Sequence, residues 1–169
     1  MRALHLHLPV HPGTPGQARR HLRRWLHRVG WPDEPAEDLV LAVDEAVSNA
    51  VEHAYATEDP APAHQDLYSV ELRVAAVPDT DSGHRAVVTV TDHGRWRPRV
   101  VASTSRGRGL QLMRALTESV EVTVTGAGTR VKMVSRAVRV SGSRAAASAR
   151  AFGDMGAMLL LARWVPALR

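Results

Sequence analysis

Hydrophobic and polar residues alternate with a period of two near the start of the chain. Leu4, Leu6 and Leu8 are separated by His5 and His7. Because successive side chains of a strand point to opposite faces of a sheet, this pattern predicts a half-buried first strand with both histidines on its other face. Two histidines at this spacing could ligate a metal ion, but the sequence shows no third ligand. An ordinary polar strand face is therefore the favoured interpretation.

Two stretches of helical periodicity follow. Thr14-Pro15 predicts a helix start, with threonine as the capping residue and proline at the first helical position, and Gly30 predicts its end. A second helix is predicted over residues 35–56. The apolar positions that define the two buried stripes are Ala18, Leu22, Trp25, Leu26 and Val29 in the first helix, and Leu39, Val43, Ala46, Ala50 and Ala54 in the second.

The remainder of the pattern is rich in β-branched residues and hairpin signals. Strands are predicted over residues 67–77 and 85–91, a glycine-led helix over 107–119, and a hairpin of residues 120–125 and 129–136 around Gly126-Ala127-Gly128. The order is strand, helix, helix, two strands, helix, two strands. It predicts an α+β fold, a two-layer sandwich in which helices cover one face of a mixed, mainly antiparallel sheet.

Residues 1–136 are expected to form this one domain. From residue 137 the composition shifts to Ala, Ser, Gly and Arg, which is typical of a linker. Residues 137–169 are therefore interpreted as a linker and a short apolar segment, whose role the sequence does not indicate.

Charge and cysteine content limit the classes of function that the chain could have. The formal net charge is +5, and nearly all positive charge is arginine because Lys132 is the only lysine. The arginines are scattered, which favours a solvated surface over a nucleic-acid site. The face of the first helix with Arg19, Arg20, Arg23 and Arg24 could alternatively dock an acidic partner.

The 169-residue chain contains no cysteine, which excludes disulfides and thiolate metal sites and is compatible with the cytoplasm. Residues 1–10 lack the apolar stretch of a signal peptide, and the apolar run 158–162 is too short to span a bilayer. We expect no membrane association.

Four segments carry candidate chemistry. In the second predicted helix, Glu45, Asn49 and His53 recur every four residues and so share one face. Asn49 could supply an oxygen to magnesium, and Glu45 could accept a proton from an attacking hydroxyl. Ordinary polar helix positions are the alternative for this segment alone.

The second and fourth segments lie at strand ends. Asp92 closes a hydrophobic strand, where a buried carboxylate needs hydrogen-bond donors, and the exocyclic amine of adenine is a suitable one. Gly94 would allow close approach of the base. Gly128 and Thr129 begin the last strand, and the threonine hydroxyl could bond the base or the aspartate. Taken singly, each is also typical of an ordinary turn.

The third segment is Arg106-Gly107-Arg108-Gly109-Leu110, at the start of the third predicted helix. Free backbone N–H groups at a helix N-terminus attract anions, and the glycines would let phosphates approach closely. Arg106 and Arg108 would add positive charge. A flexible helix start is the alternative.

In order and spacing, the four segments together resemble the N, G1, G2 and G3 boxes of the histidine-kinase-like (Bergerat-fold) ATPases. The similarity is greatest to the branch of anti-sigma-factor serine/threonine kinases, in which Asn49-Ala50-x-x-His53-Ala54-Tyr55 and Leu110-x-Leu112-Met113 match the family pattern. By this resemblance Glu45 is the catalytic base and Asn49 the magnesium ligand. The residues that the resemblance assigns to nucleotide binding are Asn49, His53, Asp92, Gly94, Arg106, Gly107, Arg108, Gly109, Leu110 and Thr129.

The resemblance implies a cytoplasmic kinase that uses ATP and magnesium, phosphorylates an anti-sigma-factor antagonist and sequesters a sigma factor. It also implies that a homodimer is possible and that nucleic acid is not bound directly. Two alternatives stay open at this point. One is a nucleotide-binding regulatory module without phosphotransfer activity, and the other is a basic nucleic-acid-binding protein, which would leave the four segments unexplained.

Overall fold

The computed structural model describes residues 3–55, 69–79, 83–93 and 106–140, without the side chains of residues 53–55, 106 and 107. The elements follow the predicted order. Their bounds are β1 Ala3–Pro9, α1 Thr14–Val29, α2 Asp33–Tyr55, β2 Ser69–Pro78, β3 His84–Asp92, α3 Arg106–Leu116, β4 Ser119–Thr125 and β5 Gly128–Val134. Most of the predicted linker and tail over residues 137–169, including the apolar run 158–162, lies outside the described residues.

The strands form one five-stranded sheet in the order β1-β2-β3-β5-β4. Every neighbouring pair is antiparallel. Helix α1 packs on β1, α2 packs on β2 and β3, and α3 packs on β4. The predicted α+β class, with helices covering a mainly antiparallel sheet, is confirmed.

The core lies between the sheet and the helices. The apolar stripes predicted for α1 and α2 are buried where the side chains are described, except that Val29 is half-buried. They meet alternate residues of the strands, as a sheet with one covered face requires. The strand residues in this core include Leu8, Val70, Leu72, Val74, Val88, Val90 and Met133.

The ends of α1 show one confirmed and one wrong prediction. Gly30 follows the helix with φ 74° and ψ 30°, a left-handed conformation that glycine adopts without a steric penalty. Thr14 is not the cap: Gly13 holds that position, with no side-chain hydrogen bond. The buried Thr14 hydroxyl instead donates to the carbonyl of Pro9 and ties the helix start to the end of β1.

Two ion pairs join α1 to α2. Nη1 of Arg19 lies 2.6 Å from Oδ1 of Asp44. Arg23 donates through Nε and Nη2 to the carboxylate of Glu37, at 2.8 and 2.6 Å. Two of the four arginines expected on a solvated or docking face therefore bind within the chain.

Past β5 the chain stays in contact with the sheet, because Val138 exchanges backbone hydrogen bonds of 2.8 and 2.9 Å with His84. The division at residue 136 stays a prediction. Among the described helices, none is long and apolar enough to cross a bilayer.

Candidate active site

Helix α2 is the element shared by the candidate site, because it packs against both β3 and α3. Glu45 and Asn49 are half-buried on it, beside the buried residues Ala46 and Ala50. Four residues of α-helix rise about 6 Å, so their side chains lie one turn apart on one face. His53 lies one further turn along α2, and its side chain is outside the described part.

The first and third candidate segments meet where α3 begins. Gly109 is buried, and a β-carbon built on it would lie 2.8 Å from Cδ and 3.0 Å from Cγ of Glu45, overlapping the carboxylate oxygen Oε1. The Glu45 side chain thus lies directly against the backbone of the first turn of α3. The first four N–H groups of a helix lack partners within the helix, so this is where an anion would find donors.

The other residues of the third segment surround this contact. Arg106 and Gly107 form the first two residues of α3. Arg108 is exposed, and Leu110 is half-buried and packs against the core. A charged side chain therefore lies at the solvent side of the helix start, and an apolar one at its base.

The second and fourth segments meet across two paired strands. Asp92 at the end of β3 pairs in register with Thr129 on β5. Asp92 is 7% exposed, and Thr129 is half-buried. Asp92 follows Val88 and Val90 at alternate positions, so its side chain lies on the helix-covered face of the sheet.

Gly128 is required for this pairing. Its φ is 133°, and a β-carbon there would overlap the Asp92 carbonyl oxygen and lie 2.9 Å from Cα of His93. The backbones of β3 and β5 therefore come together at Asp92 more closely than any residue with a side chain would permit. Gly94, the partner predicted for Asp92, lies outside the described residues.

The structure also shows a positioning contact that the sequence did not indicate. Asp44, immediately before Glu45, accepts a 2.6 Å hydrogen bond from Arg19. This bond crosses from α1 to the residue that precedes Glu45 on α2. The partners are 25 residues apart on different helices, and no local pattern connects them.

Comparisons with known proteins identify the family of the domain. Residues 8–135 match the family model of the histidine kinase-like ATPase domain. The chain is 42% identical over 52 residues to the serine-protein kinase RsbW of Oceanobacillus iheyensis, an alignment that covers 31% of this chain and 33% of that protein. The chain thus spans about a third of the length of that curated relative.

Two solved structures are similar in fold. A crystal structure of the RsbU and RsbW domains of a Mycobacterium tuberculosis protein matches with a TM-score of 0.57 and 28% identity, covering 81% of this chain and 33% of that one. The SiaB-SiaC complex of Pseudomonas aeruginosa matches with a TM-score of 0.52 and 15% identity, covering 78% of this chain and 88% of that one. The second likeness concerns the fold alone.

The matched range includes both halves of the candidate site, from Glu45 on α2 to Thr129 on β5. The likeness to RsbW proteins in sequence and in structure agrees with the branch predicted from the four segments. This chain belongs to the histidine kinase-like ATPase domain family.

Proposed function

We propose that the domain binds ATP with magnesium and transfers the γ-phosphoryl group to a serine or threonine of an antagonist protein, while the same domain also binds a sigma factor. The observation that carries the proposal is the contact between Glu45 and the backbone of Gly109. It places a carboxylate beside the N–H groups of a helix start, so a proton acceptor and an anion-binding element lie side by side.

The β3–β5 end of the site suits the base of the nucleotide. The Asp92 carboxylate would accept a hydrogen bond from the exocyclic amine of adenine, a donor that a largely buried carboxylate favours. The hydroxyl of Thr129, directly across the strand pair, would bond the base or Asp92 itself. Both residues lie on rigid strands, so the base would be positioned with little rearrangement.

The α2–α3 end suits the phosphates. The first turn of α3 would bind phosphate oxygens through backbone N–H groups, with Arg106 and Arg108 adding charge. The side-chain oxygens of Asn49 and Glu45 are the donor type that magnesium prefers, and Asn49 is the proposed ligand. Bound magnesium would neutralise charge on the phosphates.

Glu45 is the proposed general base. Its carboxylate would accept the proton of the attacking hydroxyl as that oxygen bonds to the γ-phosphorus. The bond from the γ-phosphorus to the bridging oxygen breaks, and ADP leaves. Because phosphoryl transfer depends mainly on alignment and charge neutralisation, the packing of Glu45 against Gly109 would contribute to catalysis together with the carboxylate itself.

The partners are proposed from the relatives. The curated relative is a serine-protein kinase, which supports a protein hydroxyl as the acceptor. Arg20, Arg24 and Arg28 are exposed on α1, and this cationic surface would suit an acidic partner protein. A homodimer and a cytoplasmic location stay predictions.

The test is transfer of labelled phosphate from ATP, in the presence of magnesium, to candidate antagonist proteins encoded near this one. We expect one serine or threonine of one antagonist to become labelled, and its alanine variant to stay unlabelled. If the chain binds ATP but labels no antagonist, the alternative of a nucleotide-binding module without phosphotransfer is correct. If it binds no ATP, both are wrong.

A further inference from the structure

The uncovered face of the sheet carries a cluster that the nucleotide chemistry does not use. His5 and His7 lie on the outer face of β1, and Glu71 pairs in register with His7 on β2. Nε2 of His5 is 2.6 Å from Oε1 of Glu71, and Nε2 of His7 is 3.4 Å from the same oxygen. One potential ligand atom from each of the three residues falls within a mutual distance of 4.8 Å.

We propose that His5, His7 and Glu71 form a binding site for a divalent transition-metal ion, with zinc as the preferred ion. Two imidazoles and one carboxylate are a common three-residue zinc ligand set, which leaves a fourth position for water. The sequence offered only the two histidines. The antiparallel pairing of β1 with β2 supplies the third ligand from 66 residues away.

The spacing of the ligand atoms suits tetrahedral zinc. Two ligand atoms about 2.0–2.1 Å from a tetrahedral ion lie about 3.3 Å apart. The separation between His7 and Glu71 is already 3.4 Å. The 2.6 Å separation between His5 and Glu71 is that of a hydrogen bond, and it would open by less than about 1 Å to admit the ion.

The exposed histidine rings have space to make this small shift away from Glu71. The His5 and His7 side chains are 46% and 65% exposed, whereas Glu71 is only 13% exposed and is held between its neighbours. The ring centroids are 4.6 Å apart and the ring planes are tilted by 57°, so both rings approach one carboxylate without stacking on each other. Two exposed ligands therefore flank one largely buried ligand.

Arg73 is the cation that a metal ion would have to displace. Its Nη2 donates to Oε1 of Glu71 at 2.5 Å, and its side chain is 43% exposed, so it can turn into solvent.

The experiment is a calorimetric titration of the untagged, metal-free full chain with zinc chloride, without nucleotide. We expect one ion per chain, and at least about tenfold weaker binding in His7→Ala and in Glu71→Gln, since even outer-shell partners of a zinc site contribute this much. Arg73→Gln should bind zinc more tightly, because a competing cation is removed. His27→Ala is the matched control, an exposed histidine on α1, and should bind zinc like the wild type.

The thermal midpoint gives a second readout. Zinc that binds only the folded state should raise the thermal midpoint in the wild type and in His27→Ala, and the rise should be clearly smaller in Glu71→Gln, a substitution that keeps the shape of the side chain. No zinc heat in the wild type would overturn the proposal. Equal zinc affinity in the wild type, His7→Ala and Glu71→Gln would also overturn it.

Discussion

The backbone of Gly109, in the first turn of α3, lies against the side chain of Glu45 on α2 so closely that a β-carbon at position 109 would be 2.8 Å from Cδ of that glutamate. This approach connects α2 with α3, which the strands β2 and β3 separate in the chain. Gly109 therefore has a structural role that does not depend on a bound phosphate. Glycine is needed at position 109 because the Glu45 side chain occupies the space that a β-carbon would take.

Gly109→Ala should displace the Glu45 carboxylate and leave most of the fold intact. Alanine favours helix, and the clash is with a side chain that can rotate, so we expect a loss of at most about 1–2 kcal/mol in the free energy of unfolding. Phosphotransfer should fall much further, by about 100-fold, because a misplacement of about 1 Å can cost that much. Urea unfolding and single-turnover transfer measure the two quantities.

Gly16→Ala is the matched control for this substitution. Gly16 also lies in the first turn of a helix, but a β-carbon there would meet only Arg20 Nη1 at 3.5 Å and Arg19 Nη2 at 3.6 Å, both ordinary contacts. Transfer by this variant should equal that of the wild type. Full transfer by Gly109→Ala as well would show that the position of Glu45 does not limit the reaction.

Gly128→Ala should destabilise the fold directly. The residue has φ 133°, and its β-carbon would overlap the backbone of Asp92, which cannot rotate away. We expect a loss of about 2 kcal/mol or more in the free energy of unfolding. Gly126→Ala, in the same hairpin but with nothing within 4 Å of the added carbon, should change it by less than about 0.5 kcal/mol. Similar urea midpoints for both variants would contradict the required close approach of β3 and β5.

The periodic parts of the fold could be predicted from the sequence because local residues determine them. The stripes of α1 and α2 follow the helical repeat, Gly30 ends α1 with a left-handed residue, and β3 and β5 lie within two residues of their predicted bounds. The capping role of Thr14 was wrong because α1 already includes Thr14, with Gly13 as the cap. The Thr14 hydroxyl instead donates to the carbonyl of Pro9, five residues earlier, and the sequence pattern does not show how the intervening turn brings the two together.

The candidate site was predictable in its residue types but not in its contacts. Glu45, Asp92, Gly109 and Thr129 were identified one by one, whereas the contacts of Glu45 with Gly109 and of Asp44 with Arg19 depend on how helices pack. Glu71 was missed for the same kind of reason. The signal was present, since Glu71 and Arg73 alternate with Val70, Leu72 and Val74, but only the register of β1 on β2 places the carboxylate beside the histidines.

Glu45→Ala should separate chemistry from binding. If Glu45 is the general base, the variant should lose phosphotransfer by at least about 100-fold while it keeps much of its affinity for ATP. Glu52→Ala is the control, an exposed glutamate on the same helix, and should transfer at the wild-type rate. Filter assays with labelled ATP and antagonist measure the rate. Unchanged transfer by Glu45→Ala would remove this residue from the proposed role.

We expect the Arg23–Glu37 pair to make a small contribution to the free energy of unfolding that is lost at acidic pH. The hydrogen bond from Arg23 lowers the pKa of Glu37 below its ordinary value of 4.5. The stabilisation is therefore present above pH 4.5 and is lost as the pH falls through the lowered pKa. Both side chains are at least half exposed, so solvent and salt screen the pair and limit the coupling to less than about 1 kcal/mol.

A double-mutant cycle with Arg23→Ala and Glu37→Ala measures this coupling by urea unfolding. We expect the coupling at pH 7 in low salt and expect it to be smaller at pH 3, below the ordinary pKa of Glu37. Arg24→Ala in place of Arg23→Ala is the control and should show no coupling with Glu37. Equal Arg23–Glu37 coupling at the two pH values would contradict an ionic origin.

Calorimetric titration with magnesium-ATP shows whether one nucleotide binds between the β3–β5 strand pair and the α2–α3 helix pair. We predict one site per chain in the wild type. In Asp92→Asn the affinity should fall by at least about tenfold, which is the loss of about 1.4 kcal/mol, while the thermal midpoint without nucleotide stays close to that of the wild type. Absence of binding heat in the wild type, or equal affinity in the wild type and Asp92→Asn, would contradict the proposed nucleotide site.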